Sequence, residues 1–373
     1  MSENAQNKKT FAKRWLKPIS FVVMGLVLFA LIFGVGFEDT EPPKPNVGFV
    51  VIGDVHHPGW NASHYEGFLS SCSQLGLNPL VRENVPEHSG KCIEAVRDLA
   101  GQDCKLIILA SYSYPDEMRP YIDDFPEVTF INMASKSYAP NMATYFARMY
   151  QGRYLAGALA GMRSKTGVIG YVGAHPNAEV IRGVNAFLLG ARRTNPQARV
   201  VVAWTRSWED PEKESFLTER LIREAGADFI TYHQDDAAAA ETADRLGVES
   251  ILFNTPIPET LHHAIASVNC RWDAFYQNIL RNHLKGELRT QKTNWVGVEQ
   301  GAVLLTSLSP KITPEMRTNL ASLRRELVNH KLIFHGPLYD NNNVQRCKAD
   351  ETVGDDMLLQ GMDWLISGVT ILE

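Results

Sequence analysis

At 373 residues the chain is longer than one hydrophobic core usually organises, so two domains are expected. Hydrophobic residues make up 45% and charged residues 21%, a globular balance that excludes a largely disordered or collagen-like chain. The net charge is only -5, and beyond the N-terminus the basic residues are scattered among acids, which argues against nucleic acid as a partner.

Lys8, Lys9, Lys13, Arg14 and Lys17 precede an uncharged apolar run from Pro18 to Phe37, and Glu38, Asp39 and Glu41 follow it. A bilayer-spanning helix needs about 20 apolar residues, which this run supplies. The positive-inside rule then puts residues 1–18 in the cytoplasm and the body of the protein outside. Residues 19–37 are read as an uncleaved membrane anchor, with a signal peptide cleaved after Gly36 as the alternative. No cysteine precedes Cys72, so no lipid-bearing cysteine closes the segment. Residues 38–45, with Pro42, Pro43 and Pro45, read as a short stiff linker. The expected location is the cell membrane, with the folded body extracytoplasmic.

From Asn46 onward, short apolar runs alternate with helical patterns. Strands are expected at Val47–Ile52, Leu77–Val81, Leu106–Ala110 and Val128–Met133, with helices at Ser63–Leu75, Cys92–Gln102 and Asp116–Phe125. A long helix is expected over Tyr145–Ser164, where the small residues Ala156 to Gly161 permit close backbone approach. The alternation then restarts. Strands at Gly167–Val172, Val200–Trp204, Phe229–Tyr232 and Ser250–Phe253 enclose helices at Ala178–Thr194, Pro211–Ala225 and Ala237–Leu246. Asp210 as N-cap and Pro211 at the first helical position mark one boundary. Helices are also read at Trp272–Lys285, Pro314–Val328 and Asp356–Ile366.

Two consecutive βα arrays of similar size imply an α/β fold of two Rossmann-like lobes with parallel sheets and a hinged cleft between them. The expected first lobe covers about 46–164 plus 270–292, and the second about 165–269 plus 293–373. Ligands of open parallel sheets sit outside the carboxyl ends of the strands. Aromatic and neutral polar residues collect there: His57, Trp60 and Asn61 after the first strand, Ser111 and Tyr112 after the third, Trp208 after the sixth, and His233, Gln234 and Asp235 after the seventh. Two indoles with amides and hydroxyls suit a flat ring, since one base–aromatic stack contributes about 1–3 kcal/mol.

Catalytic and cofactor fingerprints are lacking: the chain has no Walker A motif, G-x-S-x-G, H-E-x-x-H or G-x-G-x-x-G. No cofactor, metal or catalytic residue is therefore expected. The adjacent pairs His56-His57 and His262-His263 are poor chelates, because neighbouring side chains diverge. Hydrolysis of a nucleoside by Asp235 or Asp236 with His233 is the enzymatic alternative. Asn61-Ala62-Ser63 matches a glycosylation sequon. Five cysteines at wide spacing allow one or two disulfides with at least one free thiol, or else act as small buried hydrophobes.

Several segments resemble the basic membrane protein family. They are Trp60 to Gly67, Arg148 to Gly157, Glu179 to Phe187, Ala203 to Pro211, His335 to Asp340 and Met362 to Leu365, in order over most of the chain. The resemblance implies a type I periplasmic-binding-protein fold and a substrate-binding component of an ABC importer, for purine nucleosides or adenine. It implies that Trp60 and Trp208 stack on the two faces of the base and that Asn61 reads its edge. His57 stands where the family has an Asp, Asn254 where it has a ribose-binding Asp, and Cys270 where it has a ribose-binding Lys. A free base is thus expected over a nucleoside. The implied partners are a small-molecule ligand and an ABC permease. The alternative is a membrane-anchored sensing module that acts through a separate membrane signalling protein.

Overall fold

The computed structural model describes residues 43–373 apart from 58, 134–138, 292 and 331. The expected anchor at 19–37 and most of the linker lie outside the described residues. Among the described residues no helix is long and apolar enough to cross a membrane.

Two sheets carry the fold. The first has six parallel strands: β1 (Asn46–Val50), β2 (Asn78–Arg82), β3 (Leu106–Leu109), β4 (Thr129–Met133), β5 (Met142–Ala147) and β11 (Thr293–Val296), in spatial order 11-5-4-3-1-2. Between them run the helices α1 (Trp60–Leu75), α2 (Lys91–Gly101) and the short α3 (Tyr114–Met118). The second sheet orders β12 (Val303–Thr306), β10 (Ala264–Cys270), β9 (Glu249–Phe253), β8 (Phe229–His233), β6 (Val168–Gly173), β7 (Arg199–Trp204) and β15 (Val369–Ile371). Only β12 in this sheet runs antiparallel. The central strands are buried on both faces, which is why they read as continuous apolar runs rather than alternating ones. In each sheet the strand order reverses beside its first strand, between β1 and β3 and between β6 and β8.

Packing moves two lobe boundaries away from the expected ones. The helix α4 (Met149–Arg163) lies against α5 (Ala178–Thr194) and against β10 and β12, so it belongs to the second lobe. Strand β11 joins the first sheet beside β5. The chain therefore crosses between lobes near 148, 271 and 297–302. These crossings bond to one another: Arg148 N donates to Val296 O at 2.7 Å and Arg271 N to Ala302 O at 2.8 Å. The helix α8 (Trp272–Leu284) returns to pack on α1.

Other expectations change as well. The predicted helix over Tyr145–Ser164 is a strand followed by a helix. Asp116–Phe125 is the end of α3 and a 3-10 turn at Ile122–Asp124. Asp356–Ile366 has one wide turn at Met357–Gly361, then extended chain. Its backbone is held by buried side chains of α5: Arg182 Nη1 donates to Leu358 O (2.9 Å), Asn185 Nδ2 donates to Trp364 O (2.9 Å), and Ile366 N donates to Asn185 Oδ1 (2.9 Å). A regular helix there would forfeit these bonds. All five cysteines are buried free thiols.

The small-residue centre of α4 does what its composition suggests. A Cβ on Gly157 would lie 1.9 Å from the Phe187 carbonyl oxygen, and one on Gly190 1.9 Å from that of Tyr154. The backbones of α4 and α5 are thus in direct contact.

The start of α6 (Pro211–Arg223) matches expectation, with Asp210 accepting from Lys213 N at 3.1 Å. One turn in, Glu214 is wholly buried and accepts from Asp210 N at 3.2 Å. Burial, with Asp236 beside it, pushes its carboxyl up to about 9. A folded-state value above the unfolded one means that the native state is fully favoured at low pH and loses stability as pH rises from about 4.5 toward 9. Glu214→Gln keeps the acceptor and removes the titration. Urea unfolding should show it more stable than the parent by about 2–3 kcal/mol at pH 7 and equal near pH 4.5. Equal stability at both would show that Glu214 is solvated and ionised.

Candidate functional site

The two strand-order reversals face each other, and a narrow cavity lies between them. From the first lobe it is lined by Ile52 and Trp60 after β1, Ser111 and Tyr112 after β3, and Met133 at the end of β4. From the second come Glu179, Trp208, His233, Asp235 and Phe253. The lobes touch beside it. Gly59, at φ +154, packs on Asp235 so closely that a Cβ would fall 2.1 Å from the Asp235 carbonyl oxygen.

Trp60 is fixed from behind. Its Nε1 donates to Ala110 O at 3.3 Å, its ring packs on His64 (centroids 4.2 Å apart), and His64 stacks on Trp272 at 3.9 Å. Below these, His64 Nδ1 and Tyr276 Oη are 2.5 Å apart, and Tyr276 and Tyr145 share a 2.9 Å hydrogen bond. Burial holds the His64 imidazole well below its usual value, hence neutral. Trp208 is half-buried, edge-on to His175 at 5.1 Å, and its carbonyl accepts from Asp235 N at 2.8 Å.

Six of the ten residues singled out from sequence meet at the cavity: Trp60, Ser111, Tyr112, Trp208, His233 and Asp235. Ser111 Oγ donates to Glu87 Oε1 at 2.6 Å, so its hydroxyl proton is already used. The other four lie elsewhere. Asn61 is buried on the neighbouring groove with its Oδ1 unpartnered, a position that leaves the sequon unavailable in the folded protein. His57 is exposed and pairs with Asp54 at 2.9 Å. Gln234 is buried away from the cavity, 2.7 Å from Thr205 Oγ1. In the orientation that satisfies both ends of its amide, it donates to the carbonyls of Ser207 (2.9 Å) and Trp208 (3.0 Å). It is a brace for the Trp208 loop. Asn254 Oδ1 accepts from Cys270 N at 3.1 Å, and both residues line a separate groove behind Trp60.

Glu179 is not among the residues that the sequence points to, because it sits in the first turn of α5, beyond the loop that follows β6. Asn177 caps α5 by accepting from Val180 N at 3.0 Å, which aims the first turn at the cavity. Glu179 is 4% exposed, and burial, against the opposing pull of Arg182, pushes its carboxyl up to about 7. His233 Nε2 lies 3.8 Å away, and burial holds its imidazole well below the usual value. Burial with Glu209 nearby raises Asp235. Phe253 is backed by the Arg153 guanidinium, 4.1 Å from the ring centroid. The arrangement is a narrow slot lined by aromatic rings and hydrogen-bonding groups from both lobes.

Among the described residues, Asp54, His56 and Glu83 bring one potential metal-ligand atom each within 4.8 Å of the others. Asp54 already accepts from His56 N and pairs with His57, and the group faces solvent away from the cavity.

The chain is 31% identical over 335 residues to a purine-binding protein of Brucella abortus, covering 87% of this chain and 93% of that one. It is 30% identical over 337 residues to a putative ABC transporter glucose-binding protein of Haloferax volcanii, covering 90% and 82%. The structure of an ABC transporter solute-binding protein from Conexibacter woesei shares the fold at TM-score 0.64 and 17% identity, covering 78% of this chain and 98% of that one. The sequence profile of the PnrA-like ABC transporter substrate-binding proteins matches residues 44–341, and the chain belongs to this family, the Bmp family of substrate-binding rather than catalytic proteins.

Proposed function

We propose that this protein binds a free purine base, adenine or a close relative, between its lobes and presents it to an ABC permease. The observation that carries the reading is a cavity lined by Trp60 from one lobe and Trp208 from the other, together with Glu179, His233 and Asp235. Two stacks at about 1–3 kcal/mol each supply a large part of the roughly 8 kcal/mol of a micromolar site. A base is favoured over a nucleoside because Asn254 and Cys270, the positions that correspond to ribose-binding residues, bond to each other and do not line this cavity. The same reading puts the body outside the membrane, carried by residues 19–37; a C-terminal alkaline phosphatase fusion inactive in intact cells would overturn that placement.

Calorimetric titration with adenine, guanine, hypoxanthine, adenosine and glucose tests the ligand. Adenine is expected to bind at micromolar Kd or tighter, and at least 10-fold more tightly than adenosine. Binding of glucose alone, or of none of the five by folded protein, overturns the assignment.

A further inference from the structure

Glu179 is a carboxyl group held almost entirely out of water at a ligand cavity. Buried carboxylates are ordinarily paired. Among the described residues no arginine or lysine comes within ion-pair distance of it, and His233 Nε2 lies 3.8 Å away. The charged and titratable groups facing it are Arg182 from its own helix, Arg153 from α4, Tyr171 from β6, His233 and Asp235 from the end of β8, and Tyr112 and Glu87 from the first lobe. Neither arginine bonds to it, although Arg182 Nη2 and Arg153 Nε and Nη2 are themselves buried without a hydrogen-bond partner. Arg182 donates to Leu358 O and lies 4.7 Å over Phe146, while Arg153 lies over Phe253 and reaches Thr231 Oγ1 at 3.4 Å. The hydrogen-bond partner that Glu179 lacks inside the protein is left to the ligand.

The protonation state decides which ligand. An ionised carboxylate only accepts, so it suits two adjacent N–H groups, as on guanine. A neutral carboxyl offers an O–H donor beside a C=O acceptor, the complement of a ring nitrogen next to an exocyclic amine, as on adenine. Arg182, Arg153 and the helix N-terminus favour the ion. Burial, the like charges of Asp235 and Glu87, and the further loss of water when a ring fills the slot favour the acid.

We propose that Glu179 reads the ligand's edge as a neutral carboxylic acid, donating its O–H to a ring nitrogen and accepting from the adjacent exocyclic N–H, and so selects an adenine-type over a guanine-type ring. This rests on the purine reading above. Isothermal titration with adenine and guanine between pH 6 and 8.5, in two buffers of different ionisation enthalpy, tests it. With a free-protein value of about 7, wild-type affinity for adenine falls about 30-fold from pH 6 to 8.5, and close to one proton is taken up per adenine at the upper end. Glu179→Gln presents the same donor–acceptor pair without titrating. Its adenine affinity loses this slope and the accompanying proton uptake. Asp235 is present in both proteins, so the difference between them reports Glu179. A flat wild-type profile, the same slope in the variant, or tighter binding of guanine than adenine at pH 6 each overturns the proposal while leaving a purine site standing. Absence of binding by any purine removes both readings. If the variant does not fold, the wild-type profile and proton count decide alone.

Discussion

Gly190→Ala is expected to be among the most damaging single-methyl changes in the molecule. The added Cβ would sit 1.9 Å from the Tyr154 carbonyl oxygen and 2.7 Å from its carbon, both backbone atoms of the facing helix. No rotamer change relieves a clash between one backbone and another. The helices must separate, and the reciprocal seat at Gly157 against Phe187 separates with them. Overpacking usually costs about 1–3 kcal/mol. Here the upper end or beyond is expected, seen as loss of soluble protein or a fall in Tm of 10 °C or more. Because α5 also carries Glu179 into the cavity, surviving protein should bind ligand more weakly. A melting curve matching that of the parent would mean that α4 and α5 are not in contact.

Trp60→Ala should have a double effect. The indole is 7% exposed, backed by His64 and Trp272 and tied to Ala110 O, so its removal leaves a void next to buried polar groups. Deleting a buried tryptophan costs about 3–5 kcal/mol of stability. Loss of the stack takes roughly a further 1–3 kcal/mol from binding, about 5- to 150-fold in Kd. Denaturant unfolding and calorimetry with adenine separate the two. Trp208→Ala, at a half-buried side chain, should lose affinity with much less stability. Unchanged affinity in Trp60→Ala would exclude the indole as a wall of the site.

The two-lobed α/β plan was legible in the sequence because central parallel strands are apolar on both faces and stand between helices of ordinary length. What escaped notice has local causes. Strand β5 runs into α4 with only Arg148 between them and no glycine or proline to mark the change, so strand and helix read as one element. Residues 356–366 have a helical pattern, but Arg182 and Asn185 take up their backbone groups from below, which sequence spacing does not reveal. Gln234 was placed at a strand end rightly, but on the side that braces Trp208. Glu179 carried a usable signal: a carboxylate followed by Val180 and Ile181 at the capped start of a helix whose first turns are mostly apolar. Such a residue is either paired or waiting for a partner.

The cavity walls belong to two bodies that meet where Gly59 rests on the Asp235 carbonyl. Occupancy and closure are therefore one linked equilibrium: by whatever factor a guest favours the shut form, shutting the protein raises its hold on the guest. Release then needs no competitor at the slot. Anything that wedges the lobes apart at that backbone seam, even from the outer surface, shortens the residence time of the molecule inside.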